Sequence, residues 1–215
     1  MKPIATLIAT VSFAFATHAL AAAPVGNEAP DVLVKRISAD VLDTAKSDKD
    51  IQAGDRQKII GLVQNKILPF VDTEKMTALA AGRFWRQATP AQQKRLSEEF
   101  RTLLVYTYSG ALSQIKNDDK VEFKPLRADP ADTDVEVRSQ VNSSRGEPIT
   151  LNYRLNKGPQ GWKIFDINVL GAWLVETYKG NFSSEINKTG IDGLIGKLAE
   201  RNKQLAGKPL AAPAK

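Results

Sequence analysis

The chain contains no cysteine, and its only histidine is His18. Without thiols there is no disulfide, no thiolate metal ligand and no lipid-modified N-terminal cysteine. His18 lies in a leader that is expected to be removed, which leaves the mature chain with neither imidazole nor thiol. Ser-His-Asp and Cys-His catalysis are thereby excluded, as are imidazole- and thiolate-bound zinc or copper. Any catalysis would rest on carboxylates, Lys, Tyr or a hard cation alone. Internal repeats are missing, and no apolar stretch reaches the ~20 residues that a membrane-spanning helix needs. Negative charge is the scarcer sign: 24 Asp and Glu stand against 30 Lys and Arg, for a formal net charge of +6.

What is present begins with an export signal. Met1-Lys2-Pro3 opens an apolar run from Ile4 to Ala16, interrupted only by Thr6, Thr10 and Ser12, and the run ends in His18-Ala19-Leu20-Ala21-Ala22-Ala23. A short basic start, an apolar centre and an Ala-x-Ala exit describe a secretory signal peptide. Residues 1–23 are read as that peptide, with Ala21 and Ala23 both fitting as its last residue. Residues 24–206 are read as a single domain, and the Gly/Pro/Ala/Lys segment 207–215 as a disordered tail.

Helical spacing dominates the first half of the chain. Leu33, Val34, Ile37, Val41 and Leu42 recur on one stripe, with Asp31 at its start. Asp55 is placed to cap a second helix carrying Ile59, Ile60, Val63, Ile67 and Leu68, which Pro69 stops. Asp72 is placed to cap a short helix that Gly82 ends. Thr89-Pro90-Ala91-Gln92 combines an N-cap, a first-turn proline and a capping-box glutamine. The long helix it opens is predicted to run through Leu96, Phe100, Leu104, Tyr108 and Leu112 to Ile115.

The period then changes from 3.6 to 2. Val121 and Phe123, then Val135, Val137, Ser139 and Val141, then Leu151, Tyr153 and Leu155 alternate with polar residues. Turn segments at 143–146 and 157–161 join neighbouring strands. A fourth strand, Trp162 to Val169, has Ile164 on one parity and Phe165, Ile167 and Val169 on the other, so apolar residues are expected on both of its faces. Ala172 to Gly180 reads as helical, and Ile186 to Leu198 as a last helix. The sum is an α+β fold, a four-stranded antiparallel meander covered on one face by helices.

Acidic pairs offer little chemistry. Glu98-Glu99 and Asp118-Asp119 are sequence neighbours whose side chains point apart. Asp129, Asp132 and Asp134 resemble the start of a calcium loop, but Pro130 intrudes and the loop's glycine and terminal glutamate are missing. Arg83, Arg86, Lys94, Arg95 and Arg101, with acidic residues interspersed, read either as a mixed solvated surface or as a patch for anionic headgroups or an acidic partner, which suit an exported chain better than nucleic acid. The aromatic and glycine cluster from Trp162 to Leu174, continuing through Tyr178 and Phe182, reads as core packing or as the wall of a ligand pocket.

That cluster carries a resemblance. Gly161-Trp162-Lys163-Ile164-Phe165-Asp166-Ile167, then Gly171, Tyr178, Phe182-Ser183-Ser184-Glu185-Ile186 and Gly190-Ile191-Asp192-Gly193-Leu194-Ile195 resemble the MlaC family. Pro69-Phe70-Val71-Asp72, Met76, Gly82-Arg83-Phe84-Trp85 and Ala88-Thr89-Pro90-Ala91-Gln92 resemble the N-terminal half of the same family. The likeness spans about residues 30–205. It implies a periplasmic phospholipid carrier of the maintenance-of-lipid-asymmetry pathway, with a cystatin- or NTF2-like sheet and an apolar pocket for acyl tails. It further implies a glycerophospholipid cargo with no cofactor and no metal. The implied partners are an inner-membrane complex of an MCE-domain protein with an ABC transporter, and an outer-membrane lipoprotein with a porin. No catalysis and a monomer are expected.

Alternation and position then suggest which residues line the pocket. The strands offer Phe123, Val135, Val137, Val141, Leu151, Tyr153 and Leu155. Leu104, Tyr108 and Leu112 come from the long helix, and Leu170, Trp173 and Leu174 follow the last strand. Two other classes stay open on the residues alone. One is a small exported hydrolase using Asp166 or Glu176; the other is a non-lipid adaptor in an envelope complex.

Overall fold

Local signals decide where the helices begin. In the computed structural model, which describes residues 28–144 and 146–210, α1 (Pro30–Ser47) starts on a first-turn proline with Asp31 beside it and ends near Lys46. The expected leader, Arg145 and residues 211–215 lie outside the described residues. Asp48 caps the short α2 (Lys49–Gln52), and the Asp55 carboxylate accepts the Lys58 N–H at 2.9 Å to start α3 (Arg56–Lys66). A 3-10 turn, Leu68–Phe70, leads to α4 (Thr73–Ala81), where Asp72 accepts the Lys75 N–H at 2.9 Å. Gly82, at φ 58°, ends α4 and opens a second 3-10 segment, Gly82–Gln87.

The capping box is complete. Gln92 N–H donates to Thr89 Oγ1 at 3.3 Å, and Thr89 N–H donates back to Gln92 Oε1 at 3.0 Å. The helix it opens, α5 (Pro90–Tyr108), is shorter than its apolar stripe predicts, because Ser109–Gln114 tightens into 3-10 geometry. Gly110 is a poor helix former, and the Ser113 hydroxyl donates to its carbonyl at 2.9 Å, a local bond that competes with the helical ladder.

The sheet is an antiparallel meander in sequence order: β1 (Lys120–Phe123), β2 (Asp134–Asn142), β3 (Ile149–Gly158), β4 (Gly161–Val169) and β5 (Ala172–Trp173). The expected four strands are joined by this two-residue fifth, in a stretch predicted to be helical. Leu170 and Gly171, at φ 54° and 89°, make the two-residue turn that folds Ala172 back onto Val169. The two-faced reading of β4 also needs correction. Arg154 pairs with Asp166 and Leu155 with Ile164, so Phe165 is an extra, bulged residue. The bulge resets the parity. Ile164, Ile167 and Val169 therefore share the face that carries Leu155, Tyr153 and Leu151.

The last helix, α6 (Leu174–Ala206), runs through both of the helices that the sequence suggests, and its kink, at Gly190 (φ 77°), falls inside the second of them rather than between the two. Gly207 ends it. Beyond it, Arg56 Nη1 donates to the Lys208 carbonyl at 2.7 Å, and Leu210 packs inward.

Two apolar clusters result. The first joins Leu33, Val34, Ile37 and Val41 of α1 and Ile59 of α3 to Val135, Val137, Tyr153, Leu155 and Ile164 of the sheet. The second is all-helical: Met76, Phe84, Leu96, Phe100, Phe182 and Leu194 are among its members. On the opposite, polar side of the sheet, Asp166 and Asn168 of β4 are buried, Asp166 against the start of α6.

Candidate functional site

α1 crosses the apolar face of the sheet obliquely. Its first residue, Pro30, shares a cleft with Val135 and Trp162 at one end. Near its last turn, Lys46 Nζ donates to the Asp119 carbonyl at 2.7 Å, just before β1. Between these ends the buried Tyr153 hydroxyl is hydrogen-bonded to Ser38 of α1 and to Ser139 of β2. Burial pushes the Tyr153 phenol above its ordinary pKa, so it stays a neutral hydrogen-bonding group. The Ser139 hydroxyl also donates to the Leu151 carbonyl.

This oblique path leaves one corner of the apolar face uncovered. Strand pairing places Val141 opposite Ile149, Leu151 opposite Val169, and Tyr153 opposite Ile167. Val137 and Leu155, under α1, are 1% and 0% exposed, whereas Val141, Leu151, Ile167 and Val169 are half-buried and Ile149 is 36% exposed. Leu170, at the rim, is 42% exposed and is the one non-glycine residue with positive φ among the described residues. A left-handed leucine costs about 1–2 kcal/mol, so a large apolar side chain is held at this rim against its backbone preference.

The residues suggested from sequence do not form one wall. Val135, Val137, Tyr153 and Leu155 are buried in the first cluster, and Leu112, Phe123 and Leu151 pack half-buried against it. Leu104 packs against the second cluster. Tyr108, half-buried, hydrogen-bonds the Tyr178 hydroxyl, whose pKa is pushed up first by burial and then by Tyr108. Leu174 is buried. Trp173 pairs with Asn168 on the polar side of the sheet, where the Arg154 guanidinium lies 3.9 Å from its ring centroid. Ile167 and Val169 escape selection from the sequence because the bulge at Phe165 is invisible in a strand's alternation. Ile149 escapes because it directly follows a turn.

Two clefts lie elsewhere. One of about 340 Å³ is lined by Glu28, Pro30, Asp129, Asp132, Val135 and Trp162, among others, and the other, of about 460 Å³, by Thr73, Glu74, Lys94, Glu98 and Arg101 with their neighbours. The basic residues of α5 are interleaved with carboxylates, as Arg95 on Glu99 at 2.8 Å illustrates. Asp129 and Asp132 are occupied in their own turn, accepting the Ala131 and Asp129 N–H groups, while Asp134 pairs with Lys75. Among the described residues, no helix is long and apolar enough to cross a membrane, and no His, Cys, Asp and Glu group is placed to hold a metal ion.

Comparison with known families matches residues 35–200 to the MlaC protein family. The chain belongs to the MlaC family. Among relatives, the intermembrane phospholipid transport system binding protein MlaC of Haemophilus influenzae is 22% identical over 183 residues, 84% of this chain and 85% of its own length. The toluene tolerance protein ttg2D of Pseudomonas putida is 23% identical over 183 residues, 82% of this chain and 84% of its own. A solved structure, the phospholipid-binding protein from Ralstonia solanacearum in complex with a phospholipid, is 49% identical with a TM-score of 0.77, covering 82% of this chain and 98% of that one.

In this MlaC-family chain the buried carboxylate of Asp166 has an architectural task. It accepts the Ile167 N–H at 2.9 Å and the Val175 N–H at 3.0 Å, and Arg154 Nη1 lies 3.3 Å away. α6 has no side-chain cap of its own at Trp173, so Asp166 serves its N-terminus from β4. Burial nevertheless pushes its pKa up, outweighing the two N–H groups and Arg154, and Glu176 adds to the push. A carboxyl with a raised folded-state pKa adds stability below its ordinary, unfolded value, and that contribution is lost as pH rises through the folded value. Denaturant unfolding followed from pH 3.5 upward should therefore show wild type losing stability relative to Asp166→Asn as pH rises. A constant difference between the two across that range would contradict this assignment.

Proposed function

We propose that this chain is a soluble periplasmic carrier that moves glycerophospholipids between an inner-membrane complex and an outer-membrane one. The acyl tails lie on the uncovered corner of the sheet, against Val141, Ile149, Leu151, Ile167 and Val169. Leu104, Tyr108 and Leu112 line the helical side of this site, Leu170 stands at its mouth, and Phe123 and Leu174 flank it. Val135, Val137, Tyr153 and Leu155 are its packed floor, and Trp173 braces the far side of the sheet. The cargo is bound without cofactor, metal or covalent chemistry, by a monomer whose residues 1–23 are removed on export. Residues 24–206 form the carrier domain and 207–215 its tail. The partners are the MCE-domain and ABC-transporter complex on one side and the lipoprotein–porin complex on the other.

The observation that carries the reading is a phospholipid bound to a protein of the same fold at 49% identity, together with an apolar sheet corner that this chain leaves uncovered. Energetics explain the need for a carrier. Exposing two chains of about fifteen methylenes to water costs ~24 kcal/mol at ~0.8 kcal/mol each. A carrier exchanges bilayer for protein and never meets that cost, because apolar surface replaces apolar surface. Native mass spectrometry of protein purified without detergent is the test. The expected spectrum carries the added mass of one or more phospholipids; a bare polypeptide after gentle extraction would overturn the reading.

A further inference from the structure

The family match ends at residue 200, but α6 runs on to Ala206 and ordered contacts continue to Leu210. These last contacts join the two halves of the molecule. Leu205, in the final turn of α6, packs on the helical cluster, and Asn202 Nδ2 ties that end of α6 to the carbonyl and carboxylate of Glu99 on α5, at 2.9 and 2.7 Å. Lys208 N–H closes the helix on the Leu205 carbonyl at 3.1 Å. Two residues later Leu210 packs against the other cluster, the one built from α1, α3 and the sheet. Five residues carry the chain from one core to the other.

Arg56 grips this crossing. It is the first residue of α3, a position where the helix dipole disfavours a cation. Its side chain is committed all the same: Nη1 donates to the Lys208 carbonyl at 2.7 Å, the guanidinium lies 4.3 Å from the Tyr106 ring centroid on α5, and Nη2 is buried with no hydrogen-bond partner. One side chain thus touches α3, α5 and the tail together.

We propose that Gly207–Leu210 is a strap, locked by Arg56 and Leu210, that holds the two apolar cores together and must detach for cargo to pass. The proposal rests on the carrier reading, in which the lipid site draws Leu112 and Leu151 from one cluster and Leu104 from the other. Separating the clusters opens the site, and the strap resists that separation without touching the lipid.

The test uses the full mature chain, its Leu210→Asp and Arg56→Ala variants, and a chain ending at Ala206. Each is loaded with NBD-labelled phosphatidylethanolamine and mixed with phosphatidylethanolamine–phosphatidylglycerol vesicles that carry a quencher. All three changes should accelerate lipid release, by on the order of tenfold for Leu210→Asp, with initial occupancy unchanged. Because the chain has no cysteine, spin labels on Lys58→Cys and Lys203→Cys report the span between α3 and α6, and their distance distribution should broaden in Leu210→Asp. Wild-type release rates and an unchanged distance distribution in folded, loaded variants would overturn the strap. A wild-type chain that takes up no lipid would instead sink the carrier reading.

Discussion

Leu151→Arg should empty the protein of phospholipid and leave it folded. Leu151 sits opposite Val169 on β4 and Ser139 on β2, one pleat beyond Tyr153, where the cover of α1 gives out. An arginine there sets its charge against the acyl tails, and an unpaired charge facing hydrocarbon costs several kcal/mol. That exceeds the small net difference between bilayer and pocket on which a carrier runs, so occupancy should fall at least ~tenfold for each ~1.4 kcal/mol lost. The fold should survive because Leu151 is half-buried and a long side chain can reach water at the rim; a stability loss of about 1 kcal/mol is expected. The same substitution two strand positions deeper gives the contrast. Val137 is 1% exposed beneath α1, so Val137→Arg should prevent folding rather than empty a pocket. Native mass spectrometry and thermal melts on both variants separate the outcomes. A folded Leu151→Arg protein with full lipid content would show that the tails lie elsewhere.

The contrast between Leu151 and Val137 also marks how far the sequence is legible. Alternation assigns both to one face, correctly, as the pairing of β2 with β3 confirms. It carries no information about where a helix lying over that face stops. That boundary depends on contacts far apart in the chain: Lys46 on the Asp119 carbonyl, Tyr153 with Ser38, and Pro30 beside Trp162. Caps are different in kind. Asp55, Asp72 and Thr89 act on N–H groups three residues away, so each can be read from a short window, and each is found where expected. Features that fail to show in a window are those that break a period without a local marker. The bulge at Phe165 shifts the parity of β4 without a glycine or proline to announce it, and it hid Ile167 and Val169. Leu170 lacks the asparagine or glycine that usually marks a left-handed turn, and this concealed the fifth strand.

Among truncations, a large stability loss should come from Phe100→Ala. Phe100 is fully buried on α5, and its ring meets Tyr178 and Phe182 of α6 edge-on, both at centroid distances of 4.9 Å with interplanar angles of 68° and 69°. Truncation removes those contacts and leaves a cavity that two rigid neighbouring rings cannot easily fill, so a loss of about 3–5 kcal/mol is expected. Against a total of roughly 5–15 kcal/mol, such a loss places the variant close to unfolding, and its denaturant midpoint should fall steeply. The effect should reach the proposed lipid site as well. Leu104 and Tyr108 lie one and two turns further along the same stripe of α5, and Tyr108 is hydrogen-bonded to Tyr178, a ring that Phe100 itself supports. Loosening this triad frees the helical wall of the site from α6. At temperatures where Phe100→Ala is still folded, its phospholipid should exchange faster than that of wild type. Destabilisation below about 1 kcal/mol would mean that the α5–α6 contact is not the mechanical base of the helical half.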